Sequence, residues 1–226
     1  MAELRKNILG QLSGTVGNTV FRIRNGKSIV YTRPREYNMS TSENLKDNRS
    51  RFALTVSFAK FINNIPLLKQ TWKEADIGGT NAYQRIIKHN AGKNTSKFLT
   101  KNNIVTPPGT PLIIEEVHFD ISEIILLLKM CKEFPLLTAA PFSILLVIFF
   151  FEPIQTNNSY YSFYYSCKSM DYNITDTEFS ISFPVDDECL DYMTWFNKNV
   201  LYAALVKKDP ITQKLLWSST GVKERD

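Results

Sequence analysis

Acid–base, thiol or metal chemistry in this 226-residue chain would have to run through two histidines, three cysteines and one knot of carboxylates. His89 and His118 lie far apart in sequence, and neither sits in a zinc-ligand spacing with cysteine or carboxylate. Cys131, Cys167 and Cys189 are odd in number, widely spaced and without a Cys-x-x-Cys. That pattern argues against a disulfide framework or a zinc knuckle and reads as reduced core thiols. A Cys–His nucleophile pair would need the fold to join distant residues, and nothing local supports one. Asp186-Asp187-Glu188 with Asp191 lacks the alternating ligands and central glycine of a calcium loop, so it reads as a solvated acidic turn. Gly10, Gly14 and Gly17 lack the Lys-Ser/Thr of a phosphate loop and precede a hairpin, not a helix. The expectation is therefore no catalytic residue, no metal, no cofactor and no enzyme.

Two features pose the question of binding. Tyr160, Tyr161, Phe163, Tyr164 and Tyr165 crowd one strand and would make a stacking platform for bases or sugars, but aromatics also collect in strands because they pack well there. Core or interface packing is the reading preferred, and the same holds for Phe149-Phe150-Phe151, a run expected in a strand covered on both faces. The second feature is a β-hairpin over residues 19–33. Asn25-Gly26 supplies the two positive-φ residues of a type I′ turn between β-rich flanks. Placing Arg24 opposite Lys27 sets Phe21 against Val30 and Val20 against Tyr31. One face then carries Thr19, Phe21, Ile23, Ser28, Val30 and Thr32, and the other carries Val20, Arg22, Arg24, Lys27, Ile29, Tyr31 and Arg33. A two-stranded ribbon fits the DNA major groove, and these cations, extended by Arg49, Arg85, Lys88, Lys93 and Lys97, would neutralise phosphates. Alternatively they blunt an exposed sheet edge.

The elements that position these residues follow from punctuation and period. After Pro34, Ser40-Thr-Ser-Glu43 has capping-box spacing and predicts a helix whose buried stripe is Leu45, Phe52, Val56 and Ala59. Asn64-Ile-Pro66 ends it, a second helix spans Leu67 to Ala75 around Trp72, and Thr80 caps a third through His89, closed by Gly92. Residues 93–111 are rich in Lys, Asn and Thr and close on Thr106-Pro-Pro-Gly-Thr-Pro111, read as an interdomain linker at 106–111 between domains 1–105 and 112–226. Downstream the period becomes two, with strands expected at Leu112–Phe119, Ile124–Met130, Phe142–Phe151, Tyr160–Cys167, Glu178–Phe183, Val200–Val206 and Lys214–Ser218. The fold class expected is α+β: an N-terminal β-hairpin with short helices, then an antiparallel, immunoglobulin-like β-sandwich.

Charge divides the chain. Residues 1–110 hold 18 Lys+Arg against 6 Asp+Glu, whereas residues 111–226 hold 9 against 16. Opposite charge on two halves favours head-to-tail association of copies into rings or filaments. The apolar run Ile144–Phe151 is far below the ~20 residues of a membrane-spanning helix, and the first residues carry no secretory signal pattern, so synthesis in the cytoplasm and no membrane partner are expected. The final location is open.

The run from Leu12 to Pro34, with Asn48-Arg-Ser-Arg-Phe52 and Trp72-Lys-Glu-Ala75, resembles a domain-of-unknown-function family common in Bacteroidota, and Leu216-Trp-Ser-Ser219 is similar to that family's final strand. The shared pattern is a glycine-led hairpin, Arg-Pro, a helix with Arg-x-Arg-Phe, then a β-sandwich. The resemblance implies no known activity and no catalytic residues, and it implies a phage-like or cell-made structural component. The combined expectation is a structural, self-associating protein, part of a filament, shell or virion-like assembly, whose partners are other copies of itself and which has no small-molecule substrate. The alternative is sequence-indifferent nucleic-acid binding through the basic hairpin and helix face.

Overall fold

The computed structural model describes residues 2–3, 13–24, 26–34, 41–120, 122–130, 141–155, 159–170 and 178–225. The fold is α+β, with antiparallel sheets and four helices among those residues. It divides into two compact units, Met1–Ser42 and Glu43–Asp226.

The first unit is a four-stranded sheet made of β1 (Ala2–Glu3), β2 (Gly14–Val16), β3 (Thr19–Arg24) and β4 (Lys27–Thr32), in the order β1-β4-β3-β2. The β3–β4 register pairs Arg24 with Lys27, Phe21 with Val30 and Val20 with Tyr31, as the turn chemistry dictates. Gly26 adopts φ +74°, while Asn25, the other half of the expected turn, lies outside the described residues, as does Gly10. The glycine-led lead-in, expected to be irregular, instead supplies a third hairpin strand: β2 pairs with β3 across a tight turn at Gly17, where φ is +57°.

The second unit opens with α1 (Glu43–Asn64), α2 (Pro66–Glu74) and α3 (Ala82–Asn90). Pro66 takes the first turn of α2, where its missing N–H costs nothing. Ser40 lies outside the described residues, and α1 begins at Glu43. The expected stripe of α1 is corrected: its buried residues are Leu54, Thr55, Phe58, Ala59 and Ile62, whereas Leu45 and Phe52 are exposed. Of the expected stripe Ala59 is buried and Val56 half-buried, and the stripe is centred on Phe58, which finds ring partners in Phe163 and Tyr202, each with centroids 5.9 Å away. The cap of α3 also moves one residue, to Asn81, whose side chain accepts from the Gln84 N–H at 2.9 Å.

The expected linker is likewise corrected. The boundary falls after Ser42, and residues 106–111 lie inside the larger unit. Leu99, Asn103, Val105 and Thr106 are fully buried. The Thr220 hydroxyl accepts from the N–H groups of Val105 and Thr106 at 2.9 and 3.1 Å, and Asn90 donates to the Ile104 carbonyl at 3.0 Å. The Asn and Thr residues that look solvated in sequence are what satisfies this segment's buried backbone.

Two facing sheets complete the unit. One orders β5 (Leu112–Phe119), β6 (Glu123–Met130) and β9 (Glu178–Pro184); the other runs β11 (Leu215–Trp217), β10 (Phe196–Lys208), β7 (Phe142–Pro153), β8 (Tyr161–Met170), with β12 (Gly221–Arg225) also on β10. Period-2 alternation sends Leu145, Val147, Phe149 and Phe151 of β7 into the core shared with the helices, and Ile144, Leu146, Ile148 and Phe150 into the core shared with β5, β6 and β9. The strand is buried on both sides, and so it reads as a continuous apolar run. Two elements of this unit have no counterpart among the expectations: α4 (Asp187–Trp195) and β12. The acidic turn at Asp186 is in fact the N-cap of α4, with its carboxylate accepting from the Cys189 N–H at 2.9 Å. No helix among the described residues is long and apolar enough to cross a membrane.

Candidate interaction surface

The first unit presents two unlike faces. Direct pairing puts Thr15, Val20 and Tyr31 in one row, Arg22 beside Ile29, and Arg24 beside Lys27, so the cations share a side as the register requires. Arg22, Arg24, Lys27, Tyr31 and Arg33 are all exposed. The opposite side sets Phe21 between Gly14 and Val30, Thr19 between Val16 and Thr32, and Ile23 beside Ser28. None of these side chains is ionisable. None of residues 13–24 and 26–34 is buried; Val16 is 73% and Ile23 37% exposed.

The helical cations expected to extend the patch belong to the other unit, and one of them is committed elsewhere. Arg85 donates through Nη1 to the carbonyls of Trp72, Lys73 and Ala75 at 2.9, 2.9 and 2.8 Å, and through Nε to Gly79 at 3.1 Å. Its guanidinium closes the C-terminal end of α2, where the last carbonyls of a helix lack intrahelical donors. It is thus not an open phosphate contact. Arg49 donates through Nε to the Leu45 carbonyl one turn earlier at 3.1 Å, and Lys88 places its Nζ close over Gly78. Arg51, next to them on α1, pairs with Asp47 at 2.8 Å.

The boundary after Ser42 redraws the charge map. Residues 1–42 carry 7 Lys+Arg against 2 Asp+Glu, and residues 43–226 carry 20 against 20. The whole +5 of the chain is therefore carried by residues 1–42, and the larger unit is neutral, with a net cationic layer of helices α1 to α3.

The other candidate groups disperse. His89 packs against the Trp72 ring with centroids 5.7 Å apart, and burial, then the charges of Lys93 and Lys88, hold its pKa below the ordinary value. His118 is exposed, with Nε2 3.3 Å from the Glu116 carboxylate. Cys189 is buried, and burial with the nearby Asp186 and Glu188 charges pushes its thiol up to about 12. Cys167 corrects the expectation of a core thiol: it is exposed on β8. Cys131 lies outside the described residues. The aromatic strand splits by parity: Tyr161, Phe163 and Tyr165 pack toward the helices and Tyr164 toward the other core, with Phe163 stacked on Phe61 at 4.9 Å. Only Tyr160, at 83% exposure, stands clear. Sequence reasoning missed one cavity of about 640 Å³, between Ala53 and Leu54 of α1, Phe98, and Phe151 and Tyr161 of the sheet. Its walls come from segments remote in sequence, and no local pattern marks them.

No protein-family model matches the chain, and no curated protein matches it either.

Proposed function

We propose that the chain is a structural, self-associating protein, the building block of a filament, shell or virion-like assembly, with the small basic sheet as its arm and the larger unit as its body. The observation that carries this reading is that none of residues 13–24 and 26–34 of the arm is buried. A sheet needs a packed apolar face to be stable in water, and a unit of about 40 residues without a disulfide draws that packing from a partner. Its 42 residues contain no cysteine. The body supports the same reading. The three-stranded order β5-β6-β9 and the sheet β8-β7-β10, with β11 and β12 both on β10, support reading the body as an immunoglobulin-like sandwich. Such sandwiches serve display and assembly on many unrelated surfaces, so this part rests on analogy of fold. The reading assigns no catalytic residue, cofactor or small-molecule substrate. Light scattering and negative-stain microscopy of the purified chain at low and moderate salt test it: particles larger than one chain are expected, and a monomer at every concentration and salt overturns it.

A second reading has its own observation. The three exposed cations Arg22, Arg24 and Lys27 share one face of a sheet within residues 1–42, the segment whose composition accounts for the chain's net charge, and this favours sequence-indifferent contact with nucleic-acid phosphates. Duplex DNA should then bind with a salt slope that falls by about 0.9 for each phosphate contact removed. Equal binding after Arg22→Glu, Arg24→Glu and Lys27→Glu together eliminates this reading.

A further inference from the structure

We infer that the cavity between α1, the turn at residues 95–98 and the adjoining ends of β7 and β8 is a binding site for a small aromatic anion, a molecule of fused or linked rings that carries a carboxylate or sulfonate. The inference goes beyond the self-association reading and does not depend on it, since every wall of the cavity belongs to the larger unit.

Three observations lead here. First, the cavity is ligand-sized and its floor is aromatic. Its volume of about 640 Å³ lies within the range of small-molecule sites, about 300–1,000 Å³. Phe98 stacks on Phe151 with centroids 5.1 Å apart, and Phe149 joins them from behind, 5.5 Å from Phe151 and 5.7 Å from Tyr161. A ring entering beside Phe98, Phe151 and Tyr161 meets the faces and edges that aromatic pairs prefer, with Ala53 and Leu54 of α1 as the other wall. Second, the sheet parts at the cavity. Pairing of β7 with β8 ends at Phe151 and Tyr161, whereas pairing of β7 with β10 runs on to Pro153 and Phe196. Between those two limits Glu152 holds φ at +58°, a left-handed conformation that is costly for a residue with a Cβ. Backbone strain of this kind collects at ligand sites, where the surrounding packing sustains it.

Third, the charges at the rim leave a cation over. The Glu152 carboxylate is answered by Lys198 at 3.2 Å. A second, more polar hollow shares Ser50, Ser96 and Lys97 with the cavity, and its Asp47 is taken up by the Ser96 hydroxyl and by Arg51 at 2.8 Å. Glu43 and Lys46 of that hollow are opposite in sign. Lys97 is exposed and makes no ion pair among the described residues. An ammonium at the mouth of an aromatic cavity selects a ligand whose ring goes in and whose negative group stays at the rim. A cationic ligand of the same shape meets Lys97 as a like charge and finds the nearby carboxylates already paired, which is discrimination by charge on top of a shared shape.

Titration calorimetry of the full-length chain with naphthoate tests this, alongside two analogues of nearly the same shape, the neutral naphthalene methanol and the cationic naphthylmethylamine. One naphthoate should bind per chain, about fivefold more tightly than either analogue, which is what one exposed ion pair supplies. Lys97→Gln should bring naphthoate down to the affinity of the alcohol. Ala53→Trp, at an exposed helical position on the cavity wall, should fill the space and abolish uptake of all three, and Ser50→Trp, one turn away on the same wall, should do so independently. Circular dichroism checks the fold of each variant, and if one tryptophan variant unfolds the other decides. Phe52→Ala, on α1 but outside the cavity, should leave binding unchanged. Failure of the wild-type chain to take up any of the three at concentrations up to about 1 mM overturns the site, and so does uptake that survives the tryptophan substitutions. Naphthoate binding no tighter than that of the alcohol, or untouched by Lys97→Gln, overturns the assignment of an anion.

Discussion

The indole N–H of Trp72 donates to the main-chain carbonyl of Val105 over 2.7 Å, with both residues fully buried. The bond ties the middle helix of the helical layer to the segment that looks most like a linker in sequence. Trp72→Phe keeps an aromatic ring but deprives the Val105 carbonyl of this donor, so a loss of about 1–3 kcal/mol is expected. Trp72→Ala adds a cavity, with an expected loss of about 3–5 kcal/mol. Urea unfolding reads both as a lowered midpoint; an unchanged slope shows that stability moved and not compactness.

Arg85 stabilises the end of α2 by converging on four carbonyls. Arg85→Met should cost about 1.5–3 kcal/mol, in the range of hydrogen bonds from a charged donor. Arg85→Lys should recover only part, since an ammonium lacks the planar fork that spans several acceptors. Gly79→Ala attacks the same arrangement from the other side. Its φ is +147°, and an added Cβ would lie 2.7 Å from the Arg85 Cγ. A double-mutant cycle between Gly79→Ala and Arg85→Met should therefore be non-additive. Additive costs would mean that the two positions act independently.

What the sequence disclosed and what it hid divide along a physical line. The β3–β4 register was legible because turn chemistry and alternation are both local, and the apolar run of β7 was legible because burial on both faces leaves no polar positions. The phase of α1 was hidden, since Leu45 and Phe52 match the helical period as well as Leu54 and Phe58 do, and only Phe163 and Tyr202, more than a hundred residues away, decide between them. Strand β12 was hidden for the opposite reason: Gly221–Arg225 has little apolar content, and its place beside β10 is set by long-range pairing. On the candidate surface, the two faces of the arm follow from register alone. The commitment of Arg85 does not, because a guanidinium turned onto backbone carbonyls is indistinguishable in sequence from one turned to solvent.

The two stripes of α1 make a direct comparison. Phe58→Ala removes a ring from the core and should cost about 3–5 kcal/mol, whereas Phe52→Ala, at an exposed position, should stay within about 0.5 kcal/mol in the isolated chain. Thermal unfolding at low protein concentration separates them. A large cost at Phe52 under those conditions would contradict its exposure.

Cys167 and Cys189 should report the two ends of thiol reactivity. At pH 8 a thiol pushed up to about 12 is ionised in only about one molecule in ten thousand, and Cys189 is also shielded by the core. Iodoacetamide should label Cys167 in the native chain and reach Cys189 only through unfolding, with peptide mass spectrometry distinguishing the two. The same shift sets a pH dependence of stability. The folded pKa of Cys189 is raised above the unfolded value of about 8.5, so its contribution is fully present below that pH. Above it the unfolded chain loses the proton while the folded chain keeps it, and stability falls as pH rises toward 12. Cys189→Ala should flatten that decline between about pH 8.5 and 10.5 at the cost of a smaller core side chain. An identical slope in the variant would assign the decline to the tyrosines, of which Tyr164 and Tyr202 are also raised by burial.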